Sequence, residues 1–134
     1  MSIQKGQQVE FKSDGPITRE QLKNYALASG DSNPIHLDEE VAKRVGLPGI
    51  IAHGMLIAAK VAERAKDFVS AEAQLQGFEL VKFQSRFKAM TLLGDTPSYG
   101  GVVKDFNDQE LVLDLQAKNQ RGEVTTQGTA RFKK

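Results

Sequence analysis

An α+β fold is predicted by three features of the 134-residue sequence. Helix-like segments are confined to the first half, and the second half alternates apolar and polar residues with a period of two. One long amphipathic segment divides the two regimes. Together they describe a single domain, residues 1–134, in which one long helix packs against a curved antiparallel sheet.

Taken in order, Val9 and Phe11 alternate with polar neighbours and predict a short first strand. Thr18 and Gln21 have the spacing of a capping box, opening a helix TREQLKNYALAS that Gly30 would end in a left-handed cap. Asp38 reads as the N-cap of a shorter helix, EEVAKRV, closed by Gly46. In AHGMLIAAKVAERAKDFV, Leu56, Ala59, Ala62 and Val69 recur at helical spacing, while Lys60, Glu63, Arg64 and Lys66 hold much of the other face.

The period then falls to two. Val81, Phe83, Ser85 and Phe87 are predicted to point one way along a strand. Further strands are expected near Thr96–Lys104, Leu111–Ala117 and Val124–Phe132, with Leu111, Leu113, Leu115 and Ala117 sharing a face. Asn107-Asp108 and Arg121-Gly122 supply the turns between them.

Composition narrows the function classes. Eighteen basic residues against 17 acidic ones leave a net charge of +1, which gives no electrostatic case for nucleic acid or an anionic membrane. The absence of cysteine excludes disulfides and thiolate metal sites. The N-terminus MSIQKGQQVEF lacks the apolar core of a signal peptide, and no apolar run is long enough to span a bilayer. A cytoplasmic location is expected.

The chemistry concentrates in GDSNPIHLD, Gly30 to Asp38. Asp31 and His36 are five residues apart, and Pro34 pushes Asn33 towards an extended conformation. A chain bent this way can turn a carboxylate and an imidazole into one cleft, where they would share a water as a general acid/base pair. Asn33, a donor and an acceptor, would orient either partner. The competing reading is structural: Asp31 making only an Asx-turn, and His36 a buried histidine satisfied by a backbone carbonyl. A metal held by Asp31, His36 and His53 is a third reading, weakened by the lack of close histidine spacing and of cysteine. Ser29 and Ser32 lie near His36 but not in a nucleophile elbow.

His53-Gly54 stands at the start of the long helix, where backbone N–H groups have no intrahelical partner. Gly54 lacks a Cβ, so an oxygen that gains negative charge can approach its N–H closely. The bland alternative is that Gly54 permits tight packing and His53 caps the helix.

YALASGDSNPIHLDEEVAKRVGLPGIIAHGML, Tyr25 to Leu56, resembles the signature of MaoC-like (R)-specific enoyl-CoA hydratases and the related 3-hydroxyacyl dehydratases. FKAMTLLGD, Phe87 to Asp95, is similar to the family's strand leading to Gly-Asp, but has Met90-Thr91 where members usually carry proline.

The resemblance implies a hot-dog fold, in which a long central helix is wrapped by a curved antiparallel sheet and an overhanging helical segment carries the active-site loop. It implies a homodimer whose sheets join edge to edge, satisfying strands otherwise left open. It also implies that Asp31 and His36 hold the water that adds to a trans-2-enoyl-CoA, that Asn33 supports them, and that the Gly54 N–H receives the thioester carbonyl. No metal or redox cofactor is implied beyond the coenzyme A thioester substrate.

Ala58, Ala62 and Ala65, at spacings of four and three, would line an acyl tunnel roomy enough for medium chains. They serve equally to let the helix sit close to the sheet. Whether the carrier is coenzyme A or, as for a 3-hydroxyacyl dehydratase, acyl carrier protein stays open. The Asp31-x-Asn33-Pro34-x-His36 stretch argues against a hot-dog thioesterase, and the presence of Asp31, Asn33, His36 and Gly54 argues against a non-catalytic acyl-thioester-binding module. Lys82, Arg86 and Lys88 would supply a basic patch for an acidic carrier protein.

Overall fold

The structure is a computed structural model that describes residues 2–134. Strand β1 (Gln8–Lys12) is followed by helix α1 (Arg19–Ser29), a 3₁₀ turn (Pro34–His36), and helices α2 (Glu39–Arg44) and α3 (Gly54–Ala71). After a second 3₁₀ turn (Ala73–Leu75) come strands β2 (Glu79–Phe87), β3 (Ser98–Phe106), β4 (Glu110–Lys118) and β5 (Val124–Lys133). The five strands form one antiparallel sheet in the order β1-β3-β4-β5-β2. Helix α3 packs against β2, β3, β4 and β5, so the sheet wraps the long helix in a hot-dog arrangement.

Local chemistry explains most boundaries. Thr18 Oγ1 accepts the Gln21 N–H at 3.2 Å, capping α1, and Gly30 ends that helix with φ 80°. Only half of the expected capping box forms, because Gln21 Oε1 is buried without a partner among the described residues. Asp38 Oδ1 accepts the N–H groups of Glu40 and Val41 and starts α2. The Asn107 carboxamide holds the β3–β4 turn by accepting from Gln109 and Glu110. At the β4–β5 turn, buried Asn119 does the same for Arg121 and Glu123. Asn119 had no distinguishing sequence pattern.

The buried stripe of α3 is rotated from the expected one. Ile57, Val61, Ala65 and Phe68 face the core, with Ala58 and Val69 beside them, whereas Ala59 is exposed and Leu56 and Ala62 are half-buried. Arg64, expected on the polar face, is buried, and its guanidinium donates twice to the Glu10 carbonyl, at 2.8 and 3.1 Å. A helix enclosed by a curved sheet is covered over more than one stripe, so its own periodicity understates its burial. Gly128 of β5 permits the close approach. A Cβ there would lie 2.9 Å from Val61 Cγ1.

Leu111, Leu113, Leu115 and Ala117 all face the core as their alternation predicts. Fully burying each of the three leucines contributes about 1.5–3 kcal/mol. Strand β2 departs from prediction. Its register with β5 shifts between Leu80 and Lys82, so a bulge takes Val81 out of step: Leu80 and Phe83 turn inward and Val81 is exposed.

Residues 88–95, where the family resemblance implies a strand leading to Gly-Asp, form a loop instead. Asp95 is buried there and its Oδ2 accepts the Leu92 N–H at 3.0 Å. This loop grips the segment before α3: Ala52 donates to the Thr91 carbonyl at 2.8 Å and Leu93 to that of Ile50 at 3.0 Å. No helix among the described residues is long and apolar enough to cross a membrane.

Candidate active site

The Asp31–His36 loop is folded by its own side chains. Ser29 Oγ donates to the Tyr25 carbonyl and accepts the Asp31 N–H, tying the loop's first residue to the last turn of α1. Asp31 Oδ1 accepts the Asn33 N–H at 3.3 Å, and Asn33 Oδ1 accepts the Ile35 N–H at 3.2 Å. Two successive Asx-turns therefore lead into the 3₁₀ turn at Pro34. Asn33 spends its acceptor on the backbone, so its structural role is turn-making.

The turn drives His36 inward, where it is buried, while Asp31 stays exposed. His36 Nδ1 lies 2.8 Å from the Ile51 carbonyl. A carbonyl only accepts, so Nδ1 carries the proton, and in the neutral ring the Nε2 lone pair is left free for chemistry. Both parts of the structural reading hold for these backbone contacts: Asp31 makes an Asx-turn and His36 is anchored by a carbonyl. Neither contact uses the second Asp31 oxygen or His36 Nε2.

His53, the N-cap residue of α3, makes no capping hydrogen bond. Its Nε2–H donates instead to the Asp31 carbonyl at 3.0 Å. Its ring stacks on His36 with centroids 3.9 Å apart and planes at 23°. Tyr25 of α1 lies against the same ring at 4.8 Å. His53 is 1% exposed and its Nδ1 finds no partner among the described residues. Leaving such an atom unsatisfied costs about 1–3 kcal/mol.

One Asp31 carboxylate oxygen and one ring nitrogen from each histidine lie within 4.8 Å of one another. The number of donors suits a metal, but two nearly parallel rings 3.9 Å apart aim their lone pairs along separate planes. A metal needs both nitrogens at about 2.0–2.1 Å along those lone pairs. The Asp31–His36 spacing fits a bridging water better.

A cavity of about 320 Å³ opens beside His36 and Gly54, walled by Ile57, Phe87, Lys88 and Thr126 among others. The Gly54 N–H, in the first turn of α3, donates to no acceptor among the described residues. A Cβ on Gly54 would stand 3.2 Å from the Phe87 ring, so this glycine keeps the helix end open against β2. The alanines expected to line an acyl tunnel lie off this cavity. Ala58 and Ala65 are buried in the interior, and none of Ala58, Ala62 and Ala65 lines the cavity, whose helical wall is Gly54 and Ile57. The offset follows from the rotated face of α3. A larger hollow of about 440 Å³ lies between β1 and α3, but its Lys60–Asp14 and Arg64–Glu10 contacts are self-satisfied, and it holds neither histidine.

Comparison with known proteins shows the fold and the family. The chain is 35% identical over 111 residues to fatty acid synthase 2 of Mycosarcoma maydis, covering 81% of this chain and 3% of that one. It is 38% identical over 80 residues to 3-hydroxyacyl-thioester dehydratase X of Mycobacterium tuberculosis, covering 60% of this chain and 26% of the relative. The chain thus spans about a quarter or less of the length of these curated relatives. The solved (R)-hydratase from A. caviae involved in PHA biosynthesis shares the fold, with a TM-score of 0.82, 24% identity, and coverage of 99% and 98% of the two chains. The model of the MaoC like domain matches residues 2–126, which take in the Asp31–His36 loop, the His53-Gly54 helix start and the wrapped helix alike, and the chain belongs to that family.

Proposed function

We propose that the protein is a hydro-lyase that adds water reversibly to trans-2-enoyl-CoA, giving (R)-3-hydroxyacyl-CoA. The observation that carries this reading is the placement of the Asp31 carboxylate within 4.8 Å of a ring nitrogen of His36, which itself lines a cavity together with Gly54 at the start of α3. In the hydration direction the pair takes a proton from the water as its oxygen bonds C3, and returns a proton to C2. Charge that builds on the thioester oxygen is met by the Gly54 N–H, a contribution of about 3–4 kcal/mol for a well-aimed donor. Asn33 acts by holding the turn. These steps need no metal or redox cofactor.

A second reading, dehydration of 3-hydroxyacyl groups on acyl carrier protein, is favoured by the 35% identity to a fatty acid synthase. Lys88 at the cavity and the exposed Lys82 and Arg86 on β2 suit the phosphate that both carriers share. Among the described residues strand β2 pairs only with β5 and forms one edge of the sheet. Pairing of two β2 edges in a homodimer would satisfy it.

The test is loss of the enoyl absorbance of crotonyl-CoA and a medium-chain trans-2-enoyl-CoA, with the same acyl groups on acyl carrier protein alongside and chiral analysis of the product. Turnover of the CoA thioesters to the (R)-alcohol supports the first reading, and turnover confined to the carrier protein supports the second. Inert, folded protein with both substrates defeats both, and thioester binding without turnover would leave the binding-module function.

A further inference from the structure

We propose that His53 is the positioning residue of the acid/base pair, setting Asp31 through its backbone carbonyl and His36 through ring stacking; this rests on the hydro-lyase reading above. His53 occupies an N-cap position yet makes no capping bond, and its Nε2–H goes instead to a carbonyl 22 residues earlier in the chain. An aliphatic side chain would fill the same buried volume without leaving Nδ1 unpartnered, so packing alone does not account for an imidazole here.

Three residues of the segment Ile51–Gly54 converge on the pair. The Ile51 carbonyl fixes the His36 tautomer, and the ring of His53 holds both the Asp31 main chain and the His36 plane. Gly54 supplies the free N–H. Residues 50–52 are themselves pinned to 91–93, so the platform is rigid. His53 is absent from the lining of the cavity that His36 and Gly54 share. It acts through Asp31 and His36, so its removal lowers kcat with little effect on KM.

Two variants and one spectrum test this. His53→Met keeps the bulk and removes the donor, whereas His53→Gln can return an N–H to the Asp31 carbonyl. Expected are a kcat loss of about a hundredfold for His53→Met with KM within about twofold, and recovery of at least tenfold by His53→Gln. In long-range ¹⁵N–¹H spectra of the wild type, neutral His53 should appear as the Nε2–H tautomer and neutral His36 as Nδ1–H, and His53→Met should disturb the His36 signals.

A folded His53→Met variant with wild-type kcat, or recovery no better with Gln than with Met, overturns the assignment. So does an Nδ1–H tautomer for His53 in the wild type, a result that needs no variant to fold. A wild type without turnover on either carrier defeats the reaction reading instead, and the His36 signals of wild type and His53→Met then decide the positioning role by themselves.

Discussion

Asp31→Asn separates the two roles that the loop gives to one side chain. Asparagine keeps an oxygen to accept the Asn33 N–H, and the main-chain bonds to Ser29 and His53 do not involve the side chain at all. Asp31 is exposed, so the exchange should change stability by no more than about 0.5 kcal/mol, a shift in Tm of about 2 °C. The carboxylate, however, is gone, and loss of a general acid/base group costs about 10²–10⁴ in kcat, or about 2.7–5.5 kcal/mol of barrier. Asp31→Ala removes both functions and should in addition lose about 0.5–1.5 kcal/mol with the Asx-turn bond. The assay is enoyl-thioester hydration beside thermal unfolding for wild type and both variants. A purely structural Asp31 predicts the reverse ordering, with Asn active and Ala merely unstable. Asp31→Asn retaining activity within tenfold of wild type would refute catalysis by this carboxylate.

Gly54→Ala brings a Cβ to 3.2 Å from the Phe87 ring, which is half-exposed and able to give way. The N–H donor survives, so steady-state kinetics should show KM rising more than kcat falls in a protein that stays folded. Ile57→Val shaves the cavity wall at a cost of about 0.5–1.5 kcal/mol and should raise kcat/KM for longer acyl chains relative to crotonyl. Ala62→Leu should leave that length profile unchanged, because Ala62 lies off the cavity; a shift towards short substrates would restore the alanine stripe as the tunnel.

Burial, followed by the charges of Asp14 and Glu63, pushes the Tyr99 phenol well above its ordinary value near 10. The unfolded chain therefore releases this proton first, and stability fully present below pH ~10 falls as pH rises beyond it. Tyr99→Phe should flatten that alkaline loss in urea midpoints compared between pH 8 and 11. At pH 8 it should cost little, since the hydroxyl is buried without a partner among the described residues.

The elements legible in the sequence were those whose signal is local. Thr18, Gly30 and Asp38 marked helix ends because a cap is made within a few residues, and β4 announced its buried face because nothing interrupts its alternation. Asp31, His36 and Gly54 stood out as chemistry-bearing residues in loop and helix-start contexts. What escaped was set by partners far along the chain. The face of α3 was misjudged because a curved sheet, not helical period, decides which residues it covers, and Arg64 could be buried only because the Glu10 carbonyl awaited it.

Val81 fell out of step because the β2–β5 register contains a bulge, and the 88–95 loop is held by Asp95 and by the segment before α3 rather than by strand pairing. The histidine stack belongs to the same class. Sequence supplied two histidines 17 residues apart with no ligand-like spacing. Tertiary folding alone laid one ring on the other at 3.9 Å and aimed His53 at the Asp31 carbonyl, because the overhanging loop closes back on the first residues of the long helix. Residue types thus determined which chemistry was available, while long-range packing decided where it sits, since contacts between distant segments leave no local periodicity to read.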